Sequence, residues 1–354
     1  MTRFEKNFIH GAILHIKTPS TPEICGTQLN IFYQRIRMSL RHFFFILCFL
    51  IIQLDSTACM SEKLPVIASI YPIADLVQQV GGDHVDVAFV LPAGASPHTF
   101  EPKPSLVKKF LSARIFFMVG AGLEFWAEKF VNLAGPGLTT VVLSNGVSFI
   151  RTAEHHHEHE TEHHHEHKDE HHHERSDISD HESSVANPHI WLDPLITKSM
   201  VNKITAVLCD VDHPHIKYYE ERSRNFLEKI DQLDRLIKDR VANFKIKKYV
   251  SFHASWVYFA RRYGLESAGV IEAAPGRNPT PIQIKNIVAR IKKYHIRAVF
   301  AEPQLNPRAA EIIAREAKVN VLLLDPLGGP NLKGRSTYID LIKYNLNVMQ
   351  EAMK

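Results

Sequence analysis

Histidine dominates the chemistry this chain can do: there are 22 of them in 354 residues. Twelve lie in a single stretch, residues 154–181, which reads EHHHEHETEHHHEHKDEHHHERSDISDH. They are His155, His156, His157, His159, His163, His164, His165, His167, His171, His172, His173 and His181. Neutral imidazole is the commonest ligand of transition metals, so this density implies a set of low-affinity metal sites. An affinity tag would be terminal and free of interleaved glutamate. A plain spacer would need only Ser, Gly, Lys or Glu. The composition offers no way to bury a core, and the run is expected to be disordered without metal.

The remaining chemistry is spread along the chain, and its placement is informative. In open α/β sheets ligands bind at the carboxyl ends of strands. After the apolar run VDVAFVL, the loop PAGASPHTFEPKPS carries His98; the segment NPHIWLDP carries His189 beside Trp191. The run YVSF leads directly into His253, VNVLLL ends on Asp325, and AVFA ends on Glu302. Each alone has an ordinary reading, as a packed imidazole or as a turn or cap carboxylate. Together they put three imidazoles and a carboxylate on strand ends, and three nitrogens with an oxygen or a water match tetrahedral Zn²⁺. The fourth position stays open between Asp325, Glu302 and water. The ligands must be neutral imidazoles, so binding is expected to weaken as pH falls through about 6.5. His84, His213, His215 and His295 fall at turns or helix ends and read as structural or solvent-facing.

Other classes fit less well. A secreted zinc hydrolase with Glu302 as base would be the enzymatic alternative, but the chain has no HExxH or HxxEH helix and no GxSxG elbow. A net charge of +4 without a Lys/Arg block argues against nucleic acid. Cys25 and Cys48 precede or fall within the export segment described below. Cys59 and Cys209 are too far apart for a disulfide framework or a zinc ribbon.

The elements that must position these residues are short apolar runs alternating with helical patterns. The first set is VIASI (66–70), VDVAFV (85–90), IFFMV (115–119) and TVVL (140–143). The second is YVSF (249–252), ESAGV (266–270), AVFA (298–301) and VNVLLL (319–324). Continuous apolar runs suit strands covered on both faces, and helices between them imply parallel crossovers. The fold class expected is α/β, with two lobes, each built on a four-stranded parallel sheet. Helices are expected at PSLVKKFLSA, ASWVYFARRYGL, TPIQIKNIVARIKKY and NPRAAEIIAREAK. Between the lobes, His215 to Phe244 contains no Gly or Pro. Phe226, Ile230, Leu233, Ile237, Val241 and Phe244 recur there at three- and four-residue steps. This predicts one long amphipathic helix of about 45 Å, starting after Asp212-His213-Pro214 and limiting hinge motion. The expected boundaries are an N-terminal lobe over 59–213, a linking helix over 214–245 and a C-terminal lobe over 246–354.

The N-terminus reads as an export signal. Arg35, Arg37 and Arg41 precede FFFILCFLII (43–52), followed by QLDSTAC. A basic region, a short apolar region and a small-residue exit make a secretory signal peptide over 38–58, cleaved after Ala58. Ten apolar residues span about 15 Å as a helix, half a bilayer. Residues 1–37 read as an upstream extension ahead of a true start at Met38. Lipid attachment at Cys59 is the weaker alternative, because Ser56 stands where lipoprotein signals usually have Leu. The mature chain is expected in a periplasm.

The segments PAGASPHTFEPKPS, NPHIWLDP, FHASWVYFARRYGL, FAEPQLNP and LLLDPLGG, in that order from about Pro65 onward, resemble the marker motifs of a known group. These are the metal-binding substrate-binding proteins of bacterial ABC transporters (the cluster A-I lipoprotein and adhesin superfamily), and the resemblance is closer to the zinc-uptake, ZnuA-like branch. It implies two α/β lobes joined by a long backbone helix with the metal between them. It also implies His98, His189, His253 and Asp325 at the metal, Glu302 behind them, and Zn²⁺ as transported substrate. The partners implied are an inner-membrane permease and its ATPase, with the carrier itself a monomer. The manganese branch carries Glu where this chain has His253, and nitrogen ligands favour zinc. A manganese carrier or adhesin of the same superfamily is the alternative. The cysteine pair of some zinc-branch C-terminal lobes is missing here.

Overall fold

The structure, a computed structural model, describes residues 62–152, 185–272 and 276–354. The upstream extension, the export signal, Cys59 and the histidine run at 154–181 lie outside the described residues.

Two sheets carry the site. The first comprises β1 (Leu64–Ala68), β2 (Val85–Phe89), β3 (Ile115–Met118) and β4 (Thr139–Val142) in the order β2-β1-β3-β4. All its pairs are parallel, with Val66 opposite both Val87 and Ile115. The second contains β7 (Lys248–Ser251), β8 (Glu266–Val270), β9 (Ala298–Ala301) and β10 (Asn320–Leu323) in the order β10-β9-β7-β8, again parallel. β9 is buried at every position and β3 at all but Met118, as parallel strands covered on both faces must be. The eight strands predicted from apolar runs are all present, with ends shifted by a residue or two. One pairing was not anticipated. β5 (Arg151–Thr152) and β6 (Val185–Ala186) form a two-residue antiparallel ladder on either side of the histidine run.

Helices cover the sheets: α1 (Tyr71–Gly81), α2 (Val107–Ser112), α3 (Ala127–Ala134) and α4 (Pro194–Val211) in the first half. The long helix α5 (Ile216–Ala242) follows, then α6 (Val257–Tyr263), α7 (Pro281–Lys293), α8 (Arg308–Ala317) and α9 (Tyr338–Met353). Local signals set the helix starts. Asp193 caps α4, accepting from the Leu195 N–H at 2.8 Å, with Pro194 in the first turn where its missing N–H costs nothing. Thr280 and Gln283 form a reciprocal capping box at the head of α7.

At 27 residues α5 spans about 40 Å. It buries Tyr219, Phe226, Ile230, Leu233, Ile237 and Val241 against both halves of the molecule. Five of these are the apolar stripe read from the sequence; Phe244, the sixth of that stripe, is buried just past the helix end. The helix is not the whole connection, however. One hydrophobic cluster runs without a break from Ile73 and Phe117 through Phe226 and Ile230 to Trp256, Phe300 and Leu346. Hydrogen bonds also cross between the lobes. The Trp191 indole N–H donates to the Pro326 carbonyl at 2.8 Å, and the Tyr71 hydroxyl to the Ser336 carbonyl at 2.7 Å. The Tyr338 amide donates to Asp75 Oδ2 at 2.7 Å. The lobes therefore share one apolar core, which restrains hinge motion more than a lone helix would. Among the described residues, no helix is long and apolar enough to cross a membrane.

Candidate metal centre

The three isolated histidines meet. His98 hangs from the loop after β2. His189 precedes the turn into α4. His253 follows β7 by two residues, at the point where the second sheet's strand order reverses, the usual ligand position in such sheets. The Nε2 atoms of His98 and His189 are 3.1 Å apart, and those of His253 and His189 also 3.1 Å. Three Zn–N bonds of about 2.0–2.1 Å at tetrahedral angles would hold their nitrogens about 3.3–3.4 Å apart. The observed spacing needs only a slight opening to accept an ion. Among the described residues this is the one cluster of three or more His, Cys, Asp or Glu able to hold a metal.

Two of the three rings have a polar group at their other nitrogen. His189 Nδ1 lies 3.0 Å from Asn187 Oδ1, an oxygen that can only accept, so Nδ1 carries the proton and Nε2 keeps its lone pair. The same oxygen accepts from the His189 amide at 3.1 Å, and the Asn187 amide nitrogen donates across the lobes to the Ala254 carbonyl at 2.7 Å. His253 Nδ1 sits 2.7 Å from Glu302 Oε1. Glu302 is steadied by the Ser255 hydroxyl, which donates to it at 2.9 Å. A carboxylate behind a metal-ligating imidazole raises its basicity and fixes its tautomer, the role expected of Glu302.

Burial keeps His98 and His189 neutral. Desolvation, reinforced by the nearby His253 ring, lowers the His98 pKa to about 4. His189 is lowered as well, by its complete burial first and then by the other two imidazoles. The expectation that protons compete with metal near pH 6.5 therefore moves downward for these two rings.

Asp325 does not join the cluster. Its Oδ1 accepts from Gln304 Nε2 at 2.8 Å and from the Leu327 and Gly328 amides at 3.0 Å each, while Oδ2 pairs with Arg335 at 2.8 Å. A carboxylate with these four partners is already satisfied, and its residue is 1% exposed. The strand-end position was read correctly, but Arg335, ten residues downstream, gave no signal in the sequence. Asn187, two residues before His189, and Gln304, two after Glu302, were also missed. Only their places inside the motifs NPHIWLDP and AEPQLNP could have drawn attention to them.

A cavity of about 10 Å³ adjoins the three rings, walled by Trp191, Gln304, Leu305 and Leu327. Outside it, a cleft of about 310 Å³ between Ser96, His98, His253, Glu272, Asn278 and Gln304 leads toward solvent. Glu272 is 8% exposed, and burial, opposed in part by the Gly276 amide, raises its pKa. The histidines read as structural stay apart from the cluster. His84 stacks on His215 at 3.7 Å between ring centroids, and His215 Nδ1 bonds Asp212 at 2.8 Å, while His213 and His295 are exposed.

Known proteins resemble this chain over most of its length. A family model described as zinc-uptake complex component A, periplasmic (ZnuA), matches residues 66–352. The high-affinity zinc uptake system protein of Brucella abortus is 31% identical over 308 residues, covering 82% of this chain and 92% of that one. The Bacillus subtilis protein of the same name is 26% identical over 296 residues, covering 82% and 88%. A crystal structure of ZnuA superposes with a TM-score of 0.69 at 25% identity, covering 82% of this chain and 99% of that one.

Proposed function

The chain belongs to the zinc-uptake complex component A (ZnuA) family of periplasmic metal-binding transport proteins, and on that premise we propose that it captures Zn²⁺ through Nε2 of His98, His189 and His253. The zinc is cargo, surrendered to an inner-membrane ABC permease whose ATPase drives uptake. The observation that carries this reading is the convergence of three Nε2 atoms at near-tetrahedral spacing. Their other nitrogens back it, two of the rings being anchored by Asn187 and Glu302. A nitrogen-rich site that excludes Asp325 favours zinc over manganese, which prefers oxygen donors.

Capture at scarce metal requires tight binding; a nanomolar dissociation constant corresponds to about 12 kcal/mol. The shared core between the lobes holds the three rings in position for the ion. Release then needs the permease to disturb that core. The histidine run at 154–181 acts as a tethered low-affinity collector. Its twelve imidazoles would supply several weak sites on the same chain, at up to about millimolar effective concentration. The mature protein works in the periplasm after removal of residues 38–58 as a signal.

Isothermal titration of the His253→Ala variant with Zn²⁺ tests the assignment. Loss of the tight phase in a chain with unchanged melting temperature supports it; wild-type affinity overturns it.

A further inference from the structure

Gln304 joins Asp325 to the cavity beside the three histidines. Its Nε2 donates to Asp325 Oδ1 at 2.8 Å, and a carboxylate can only accept, so the orientation of the amide is fixed by chemistry. Oε1 is consequently the free end. That oxygen is buried and has no hydrogen-bond partner. A buried amide oxygen left unpaired is costly, so its retention calls for a partner that arrives with the ligand. Gln304 lines the same small cavity as His98, His189 and His253. Asp325 in turn is anchored by Arg335 Nη1 at 2.8 Å and by the Leu327 and Gly328 amides.

Resting on the three-histidine reading above, we propose that Gln304 is the residue that completes the site, its Oε1 accepting a hydrogen bond from a water bound at the fourth position of the ion. Three imidazoles leave one tetrahedral position open. The cavity of about 10 Å³ is near the smallest that holds one water. Such a water needs polar partners, and the metal and Gln304 Oε1 supply two. Asp325 then serves the metal at one remove, as the positioning residue that aims Gln304, and Arg335 keeps its carboxylate from swinging onto the ion. This explains how a strand-end carboxylate can be part of the centre without being a ligand. It also leaves a site from which the ion is released by losing three neutral donors and a water, with no anionic ligand to hold it.

The test uses the full mature chain and two metals alone. Gln304→Leu keeps the size and removes the acceptor. Zn²⁺ competition against a chromophoric chelator should show binding weakened about tenfold, which is about 1.4 kcal/mol. The visible bands of the Co²⁺-loaded protein should shift, while the melting temperature of the metal-free chain stays at the wild-type value. Asp325→Asn should weaken Zn²⁺ by a similar factor in the wild-type background and add nothing in the Gln304→Leu background. Wild-type affinity and Co²⁺ bands in Gln304→Leu overturn the proposal, and so does full additivity of the two changes. His253→Ala runs beside them: if it too binds normally, the histidine site itself is wrong, whereas its loss alongside a silent Gln304→Leu rejects only the role of Gln304. If Asp325→Asn fails to fold, Gln304→Leu with the Co²⁺ bands decides alone.

Discussion

Asn187 faces His189 through a single oxygen: Oδ1 lies 3.0 Å from the ring Nδ1 and 3.1 Å from the backbone amide. The nitrogen end of the same amide reaches the other lobe, donating to Ala254, the residue after His253. One side chain therefore sets the tautomer of one ring and ties it to the neighbour of another. Outer partners of metal-bound histidines are worth about 10–100-fold in affinity. Asn187→Ala should weaken Zn²⁺ binding by about that factor without abolishing it, read by chelator competition. Asn187→Asp, which keeps the acceptor and loses the donor to Ala254, should recover part of the loss.

The lowered pKa of His98 and His189 makes the metal-free protein acid-sensitive in a defined window. In the unfolded chain both rings take up protons near 6.5; in the folded chain His98 does so only near 4. Stability from these rings is thus fully present above about 6.5 and is lost as pH falls toward 4, because only the unfolded state binds the protons. Thermal melts of the metal-free protein should show the melting temperature falling across that range. The His98→Gln variant should show a shallower fall. Identical slopes would mean that His98 is not protected by burial.

Nitrogen donors should also set selectivity. With Asp325 occupied by Arg335 and Gln304, the ion meets three imidazoles and no carboxylate. Zn²⁺ should outcompete Mn²⁺ by orders of magnitude, since carboxylate-poor sites bind Mn²⁺ weakly. Competition titrations with both ions at one pH check this directly. Comparable affinities would favour a general divalent-metal carrier.

How much of this was legible in the sequence depended on the range of the signal. The strands were visible because Ile115, Phe116 and Phe117 form a continuous apolar run that only a two-faced parallel strand accommodates. Helix α5 was visible because Phe226, Ile230, Leu233 and Ile237 repeat at helical spacing without a breaker. The three histidines were visible as strand-end residues within recognisable motifs. Long-range polar pairing was not. Gln304 meets Asp325 across 21 residues and Trp191 meets Pro326 across 135, and no local pattern encodes either. Asp325 was legible as a candidate for the open fourth position from its type and strand-end place; its partners Arg335 and Gln304 were not.

The contact between lobes can be loosened without touching a ligand. The Tyr338 hydroxyl sits 3.0 Å from both the Trp191 carbonyl oxygen and Thr197 Oγ1, and the residue is 1% exposed. Tyr338→Phe removes that hydroxyl, but Thr197 still donates to the Trp191 carbonyl at 3.0 Å. The cost should be about 1–2 kcal/mol, the price of one buried hydrogen bond. A lower midpoint in urea with an unchanged slope would show it. Because Trp191 lies two residues from His189, zinc dissociation followed by stopped flow should also become faster.

Removing residues 154–181 separates collector from site. The cut leaves in place the ladder of Arg151–Thr152 with Val185–Ala186. It also leaves the Asn187 amide donating to the Ile150 carbonyl at 2.9 Å, and the Ile150 amide donating to the Tyr258 hydroxyl at 3.1 Å. Those bonds fix the stem to the second lobe and lead straight into Asn187, which orients His189. The shortened chain should therefore keep the tight Zn²⁺ phase unchanged in calorimetry while losing the weak additional equivalents. Extending the cut through Ile150 and Asn187 removes the orienting amide with the run and should weaken the tight phase as well. If the shorter deletion alone abolishes tight binding, the histidine run and not the three-ring cluster is the primary site.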